Sequence, residues 1–140
     1  MTLLAGHLLP PPRMSLHRQR VGRSGEDLAV LELVARGYAI LARRYRTRHG
    51  EIDIIAEHQG AIVFVEVKAR LTGEYGGAAA AVTPFKQRRL TTMAVLYLAR
   101  SGLTSRACRF DVVAIDDAGS THPRVSVYRS AFDAQGDTHL

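Results

Sequence analysis

Cysteine is almost absent: Cys108 is the only one in 140 residues. No disulfide can therefore close within the chain, and no zinc site can be built on cysteines. Such usage fits a reducing compartment, and a cytoplasmic location is expected. Long hydrophobic runs are missing too. None approaches the ~18 residues that a membrane helix needs, so no membrane partner is expected. The opening Met1–Leu9 holds Gly6 and His7 and runs into Pro10-Pro11-Pro12, which makes it a poor secretory signal. Lysine is scarce: beyond Lys68 and Lys86, every fixed positive side chain is arginine. No internal repeat is visible.

What is there describes a basic globular domain. A hydrophobic content of 46% excludes a disordered chain, and a net charge of +6 favours a polyanionic partner. Arginine forks onto phosphate at two points, so its dominance over lysine suits phosphate binding. A GC-rich coding genome produces the same bias, and composition does not choose between the two. One domain is expected over residues 22–129. Residues 1–21 are expected to form a flexible extension, with Met14 as an alternative start, and residues 130–140 a loose polar tail.

Ser24 with Asp27 three residues later predicts a helix start. Two apolar rows follow, Leu28-Leu31-Ala35 and Ala29-Val30-Leu33, and Gly37 ends the helix. Tyr38 to Tyr45 reads as a strand that gives way to the basic run Arg43-Arg44-Tyr45-Arg46-Thr47-Arg48. Glu51–Glu57 and Ile62–Ala69 read as two strands around a turn at Gln59-Gly60. Leu71–Val82, with three glycines and four consecutive alanines, reads as a mobile loop. Thr83 caps a second helix with Pro84 at its first position. Leu90, Met93, Ala94, Tyr97 and Leu98 form its core-facing stripe, and Gly102 closes it. Arg109–Asp116 and Arg124–Arg129 supply two more strands. The order αβββαββ implies an α/β fold, a mixed β-sheet flanked by helices.

Charges interrupt the two most apolar strands. Glu51 and Asp53 are expected on one face with Ile52 and Ile54 on the other; Glu66 and Lys68 are expected opposite Val63, Val65 and Val67. An even hairpin loop at Gln59-Gly60 places Asp53 opposite Glu66 and Glu51 opposite Lys68, while a one-residue slip separates them. Two carboxylates that close repel unless a proton or cation lies between them, and oxygen ligands select Mg²⁺ or Mn²⁺. Such an ion, held by Asp53 and Glu66, would polarise a phosphate and activate water, with Lys68 offsetting charge on the phosphoryl oxygens. An ordinary buried ion-pair network is the competing reading.

Glu26 is a candidate further carboxylate, although the helix dipole alone favours an acid there. Glu51 reads equally as a ligand or as a partner of Lys68. Lys86 and Gln87 could reach the site or could simply solvate a helix start. Arg109 with Asp111 reads as a local pair, His49 as a loop histidine and Cys108 as core.

Gly25-Glu26, Gly50-Glu51-Ile52-Asp53-Ile54-Ile55, Phe64-Val65-Glu66-Val67-Lys68-Ala69-Arg70 and Arg109-Phe110-Asp111-Val112-Val113 together resemble the YraN-like family of bacterial proteins. The similarity spans about Gly22 to Ile115. That family looks like a branch of the restriction-endonuclease-like superfamily, near archaeal Holliday-junction resolvases. The superfamily pattern is a helix acid, an aspartate ending or bending one strand, and Glu-x-Lys on the next; Glu26, Asp53, Glu66 and Lys68 match in that order. One departure is Ile52, where the superfamily often has proline. The resemblance implies Mg²⁺-dependent cleavage of DNA, on branched or structured substrates. A resolvase-like role would favour a homodimer. Arg43, Arg44, Arg46, Arg48, Arg70, Lys86, Gln87 and Arg88 are the candidate nucleic-acid contacts. The rival expectation is a non-catalytic nucleic-acid-binding module or scaffold on the same fold.

Overall fold

Gln59 and Gly60 both adopt positive φ, 50° and 83°. This is the pattern of a two-residue type I′ turn, whose twist matches that of the strands it joins. In the computed structural model, which describes residues 25–70 and 82–134, the turn joins β2 (Gly50–His58) to β3 (Ala61–Ala69). Before them come α1 (Gly25–Ala35) and β1 (Ala39–Thr47); after them come α2 (Pro84–Arg100), β4 (Cys108–Asp116) and β5 (Arg124–Phe132). The five strands lie in the order β1-β2-β3-β4-β5. Only β3 and β4 run parallel, and α2 lies between them in sequence, because a parallel pair needs a long crossover. The α/β class, the mixed sheet and the αβββαββ order are as expected.

One helix covers each face. Beneath α1, Ala29 and Leu33 pack with Ile54, Val63, Val65, Val113 and Ile115. Beneath α2, Leu90, Met93, Ala94 and Leu98 pack with Ile52, Ile55, Phe64 and Val112. Burial on both faces is why the central strands read as near-continuous apolar runs. Tyr97 stands at the margin of the stripe, with its ring edge-on to Tyr45 at 5.3 Å and to Phe64 at 5.9 Å. Truncating a stripe residue such as Leu90 would cost about 2–5 kcal/mol. The Thr83 hydroxyl accepts from the Lys86 N–H at 3.2 Å, the expected cap. Gly37 (φ 93°) and Gly102 (φ 69°) close the two helices. The N–H that follows each reaches back to the last turn, Tyr38 to Leu33 at 3.0 Å and Leu103 to Leu98 at 2.8 Å. Such a closure needs a left-handed residue, which glycine takes without strain.

Three expectations change. Leu31 is 55% exposed and Ala35 is exposed, so of the Leu28-Leu31-Ala35 row only Leu28 packs against the core, beside Val30 and the buried Ala29 and Leu33. Cys108 is exposed, because it is the first residue of β4 and the strand enters the core only at Phe110. Ser130, Ala131 and Phe132 belong to β5 and not to a loose tail, held by the stacking of Phe132 on Phe110 at 5.0 Å. The Ser24 cap, residues 1–21, most of the glycine–alanine loop and the last six residues lie outside the described residues. Among the described residues, no helix is long and apolar enough to cross a membrane.

Candidate active site

The alternation expected of β2 breaks at one residue. Ile52 packs under α2, whereas Ile54, two residues on, packs under α1. Strand residues two apart share a face in a regular strand, so β2 turns over at Asp53. Arg44, between the β1 residues that pair with Ile54 and Ile52, takes a left-handed φ of 51°. The β2–β3 ladder has the expected register from His58↔Ala61 to Ile54↔Val65 and stops there. Asp53 is therefore not a ladder partner of Glu66, and Glu51 does not face Lys68. Instead Asp53 Oδ2 accepts a hydrogen bond from the Val67 N–H at 2.8 Å. A side chain replaces a backbone rung at the point where the strands part.

Beside it, Glu66 is buried on the α2 face, and its charge acts directly on Asp53. Burial first, and the Glu66 charge second, push the Asp53 carboxyl up to about 7. The Val67 hydrogen bond and the Lys86 charge oppose the rise without cancelling it. Lys86 reaches in from the first turn of α2, its Nζ 2.9 Å from Glu66 Oε2. Burial pulls Lys86 down, but its bond to Glu66 and the two acid charges more than offset this and leave it raised. Glu66 Oε1 is buried with no hydrogen-bond partner among the described residues. Such an atom is costly unless something binds it.

The other expected residues surround this pair at varying distance, and the Glu26 charge also acts on Asp53. Val63, Val65 and Val67 do face α1, which leaves Lys68 on the Glu66 face, exposed and without an ion pair among the described residues. Glu26 is 12% exposed and binds Arg43 and Arg44, each at 2.9 Å; Arg43 also reaches Asp27 at 2.7 Å. Glu51 pairs with Arg46 at 3.1 Å. Arg70 is 11% exposed and holds Asp116 at 2.8 and 3.2 Å. Gln87 donates to the Val82 carbonyl at 2.8 Å, an internal helix-start contact. Arg46, Arg48, Lys86 and Arg88 remain on the outside.

A cleft of about 290 Å³ opens beside Asp53, lined by the His49-Gly50 turn, Glu51, Phe85, Lys86, Arg89 and Met93. Arg89 clamps its rim by donating to the His49 carbonyl at 2.6 Å. Gly50 (φ 129°) lets it approach, since a Cβ there would lie 3.3 Å from the guanidinium. Sequence reasoning allowed Lys86 to reach the site but did not name Glu66 as its partner. The available signal was that Lys86, one of two lysines, follows a capped helix start.

A second polar cluster lies on the α1 face. Asp111, fully buried, accepts from Tyr38 Oη at 2.7 Å, from Arg109 Nε at 3.0 Å and from the Ser130 N–H at 3.0 Å. The expected Arg109–Asp111 pair is present, but it belongs to this larger network. Arg109 also bonds His58 Nδ1 at 2.7 Å, and the His58 ring stacks on Tyr38 at 3.9 Å. Arginine can only donate, so Nδ1 accepts and the ring is neutral, with Nε2–H left for the Arg36 backbone.

The chain matches Uncharacterised protein family UPF0102 over residues 25–115. It belongs to that family. A UPF0102 protein of Symbiobacterium thermophilum is 48% identical over 116 residues, covering 83% of this chain and 98% of the relative. One of Ralstonia pickettii is 50% identical over 115 residues, covering 79% and 88%. Among solved structures, Pyrococcus furiosus SfsA in complex with Ca²⁺ is 15% identical, over 81% of this chain and 63% of that one. Its TM-score of 0.37 is too low to bear on function. The UPF0102 match contains every residue of the Asp53–Glu66–Lys86 site and of the Tyr38–Asp111 cluster up to β4.

Proposed function

We propose that this chain is a divalent-metal-dependent DNA endonuclease, with Asp53 and Glu66 as ligands for Mg²⁺ or Mn²⁺. The observation that carries the reading is a pair of neighbouring acids, buried Glu66 and half-buried Asp53, with one lysine, Lys86, bonded to Glu66. Among the described residues Glu66 Oε1 has no hydrogen-bond partner, and burial together with the Glu66 charge pushes the Asp53 carboxyl up to about 7. Their oxygens suit a hard cation of the Mg²⁺ type, which is commonly held by one or two carboxylates plus water and substrate phosphate. Among the described residues no third metal-ligating side chain joins them, so water and substrate phosphate would have to complete the ion's shell. Bound there, the ion supplies Lewis-acid activation of phosphate and water.

The chain's own groups do the rest. The Val67 N–H fixes one oxygen of Asp53 and leaves the other available. Lys86 neutralises one oxygen of Glu66 and spares Oε1. Lys68, on the same face and without an ion pair among the described residues, meets charge developing on the phosphoryl oxygens. Glu26 acts as a positioning residue, holding Arg43 and Arg44 on the strand beside Asp53. Arg46, Arg48 and Arg88 meet neighbouring phosphates. The capture of Glu26 by two arginines also favours a second reading, a nucleic-acid-binding module without catalysis.

The deciding experiment compares wild type with Asp53→Asn/Glu66→Gln on single-stranded, duplex, flapped and four-way DNA. The wild type should cut with Mg²⁺ or Mn²⁺, and the double variant should not. Without metal, the variant should bind DNA as tightly or more tightly, since the acids no longer repel phosphate. A folded double variant that cuts at the wild-type rate removes these residues from the site. Binding by both proteins with cleavage by neither establishes the second reading.

A further inference from the structure

The cleft beside Asp53 carries an aromatic ring that the carboxylates do not use. Phe85, in the first turn of α2, lines the cleft and is 59% exposed. Exposing so large an apolar group forgoes burial that a core position would reward. Arg89, one turn on, sets its guanidinium 5.5 Å from the ring centroid. That guanidinium is tethered, because its Nε is bonded to the His49 carbonyl. An exposed ring with a fixed cation over it therefore lines the same cleft as Asp53, with Lys86, the ion-pair partner of Glu66, in the same wall.

We propose that Phe85 is a stacking platform for one unpaired base of a DNA strand whose phosphate lies at Asp53 and Glu66. The placement of that phosphate rests on the endonuclease reading. Every base has a π-face, so an exposed ring beside cationic side chains takes bases with little sequence preference, and arginine adds a cation–π contribution. In a duplex those faces are covered by stacked neighbours, and a base must leave the stack to reach the ring. The cleft, about 290 Å³, lies at the bottom of the ~300–1,000 Å³ range of small-ligand sites. It has room for a single base and not for a double helix. Phe85 thus selects strands that are single, flapped or opened at a branch.

The test measures binding in EDTA, where nothing is cut. The probes are a 2-aminopurine-labelled single strand of about 12 nucleotides, within the usual span of such sites, and a hairpin duplex of matching length. Wild type should favour the single strand and quench the label. Phe85→Ala and Phe85→Leu should each lose about tenfold on the single strand, in the range of one stacked base, with duplex binding unchanged. Phe85→Trp should retain the preference. An unchanged single-strand-to-duplex ratio in Phe85→Ala overturns the proposal, as does equal loss on both probes. A ring that serves only as a helix-surface partner for Arg89 would change the melting temperature and leave that ratio alone. Cleavage is scored separately. A Phe85-dependent preference without any metal-dependent cleavage sustains the platform and removes the nuclease. Cleavage with no Phe85-dependent preference sustains the nuclease and removes the platform.

Discussion

Asp111 and Glu66 lie on neighbouring parallel strands and point to opposite faces of the sheet, and their surroundings could hardly differ more. Asp111, under α1, is fully enclosed, and arginine, tyrosine and a backbone N–H satisfy its oxygens. Glu66, under α2, shares one oxygen with a half-exposed lysine, and among the described residues the other has no partner. Both are buried acids in a sheet core, so burial alone does not mark a functional residue. The difference lies in satisfaction. A completed network rigidifies a core, whereas an unfinished one costs stability and stays receptive to a ligand. The same contrast extends to titration. Burial, reinforced by the positive charge of Arg109, pushes His58 below its ordinary range on the Asp111 side. Burial and Glu66 push Asp53 above its own.

The largest effect that would break this contrast is on stability. Asp111→Ala strands buried Tyr38, partly buried Arg109 and the Ser130 N–H and should cost about 3–5 kcal/mol in denaturant unfolding. Glu66→Gln should cost no more than about 1 kcal/mol. Equal losses would mean that the two acids play the same structural part. Metal should separate them next. At a hundredfold excess over its Kd, Mg²⁺ or Mn²⁺ should stabilise wild type by about 2.7 kcal/mol. Thermal melts of Glu66→Ala should show no such rise, and an equal rise would place the ion elsewhere.

The pH dependence sharpens the comparison further. The folded Asp53 carboxyl titrates near 7 against an ordinary 3.8. The folded state therefore binds more protons between those values, and stability falls as pH rises through them. Asp53→Asn, which can keep the Val67 hydrogen bond, should gain about 2 kcal/mol at pH 8 in EDTA. The gain should vanish toward pH 4, and one that is flat with pH would deny the shift. His58 runs in the opposite sense. Its lowered folded pKa means that the unfolded chain takes up the proton first, so stability is lost as pH falls through the ordinary histidine value. His58→Gln should flatten that acid limb, an effect under about 1 kcal/mol. The smallest change concerns DNA. Replacing Arg46, Arg48 or Arg88 with alanine should lower the salt slope of binding by about one for each phosphate no longer neutralised. An unchanged slope removes that residue from the interface.

Much was decided by the chain's local chemistry. Gln59-Gly60 specified the hairpin register, Thr83-Pro84 the start of α2, and Gly37 and Gly102 the helix ends, because turns and caps depend on residues within a few positions of one another. The α/β class and the αβββαββ element order followed from apolar periodicity. The same reasoning named Asp53 and Glu66, since charges inside apolar strands stand out against their neighbours. Only the tertiary structure turned β2 over at Asp53, bonded its carboxylate to Val67 and brought Lys86 rather than Lys68 to Glu66. It alone engaged Glu26 with arginines, buried Arg70 against Asp116 and joined Tyr38 and His58 to Asp111. Each of these depends on which distant side chain arrives at a given point. Sequence spacing carries no signal for that, because the pairing is set by the packing of whole helices on the two faces of the sheet.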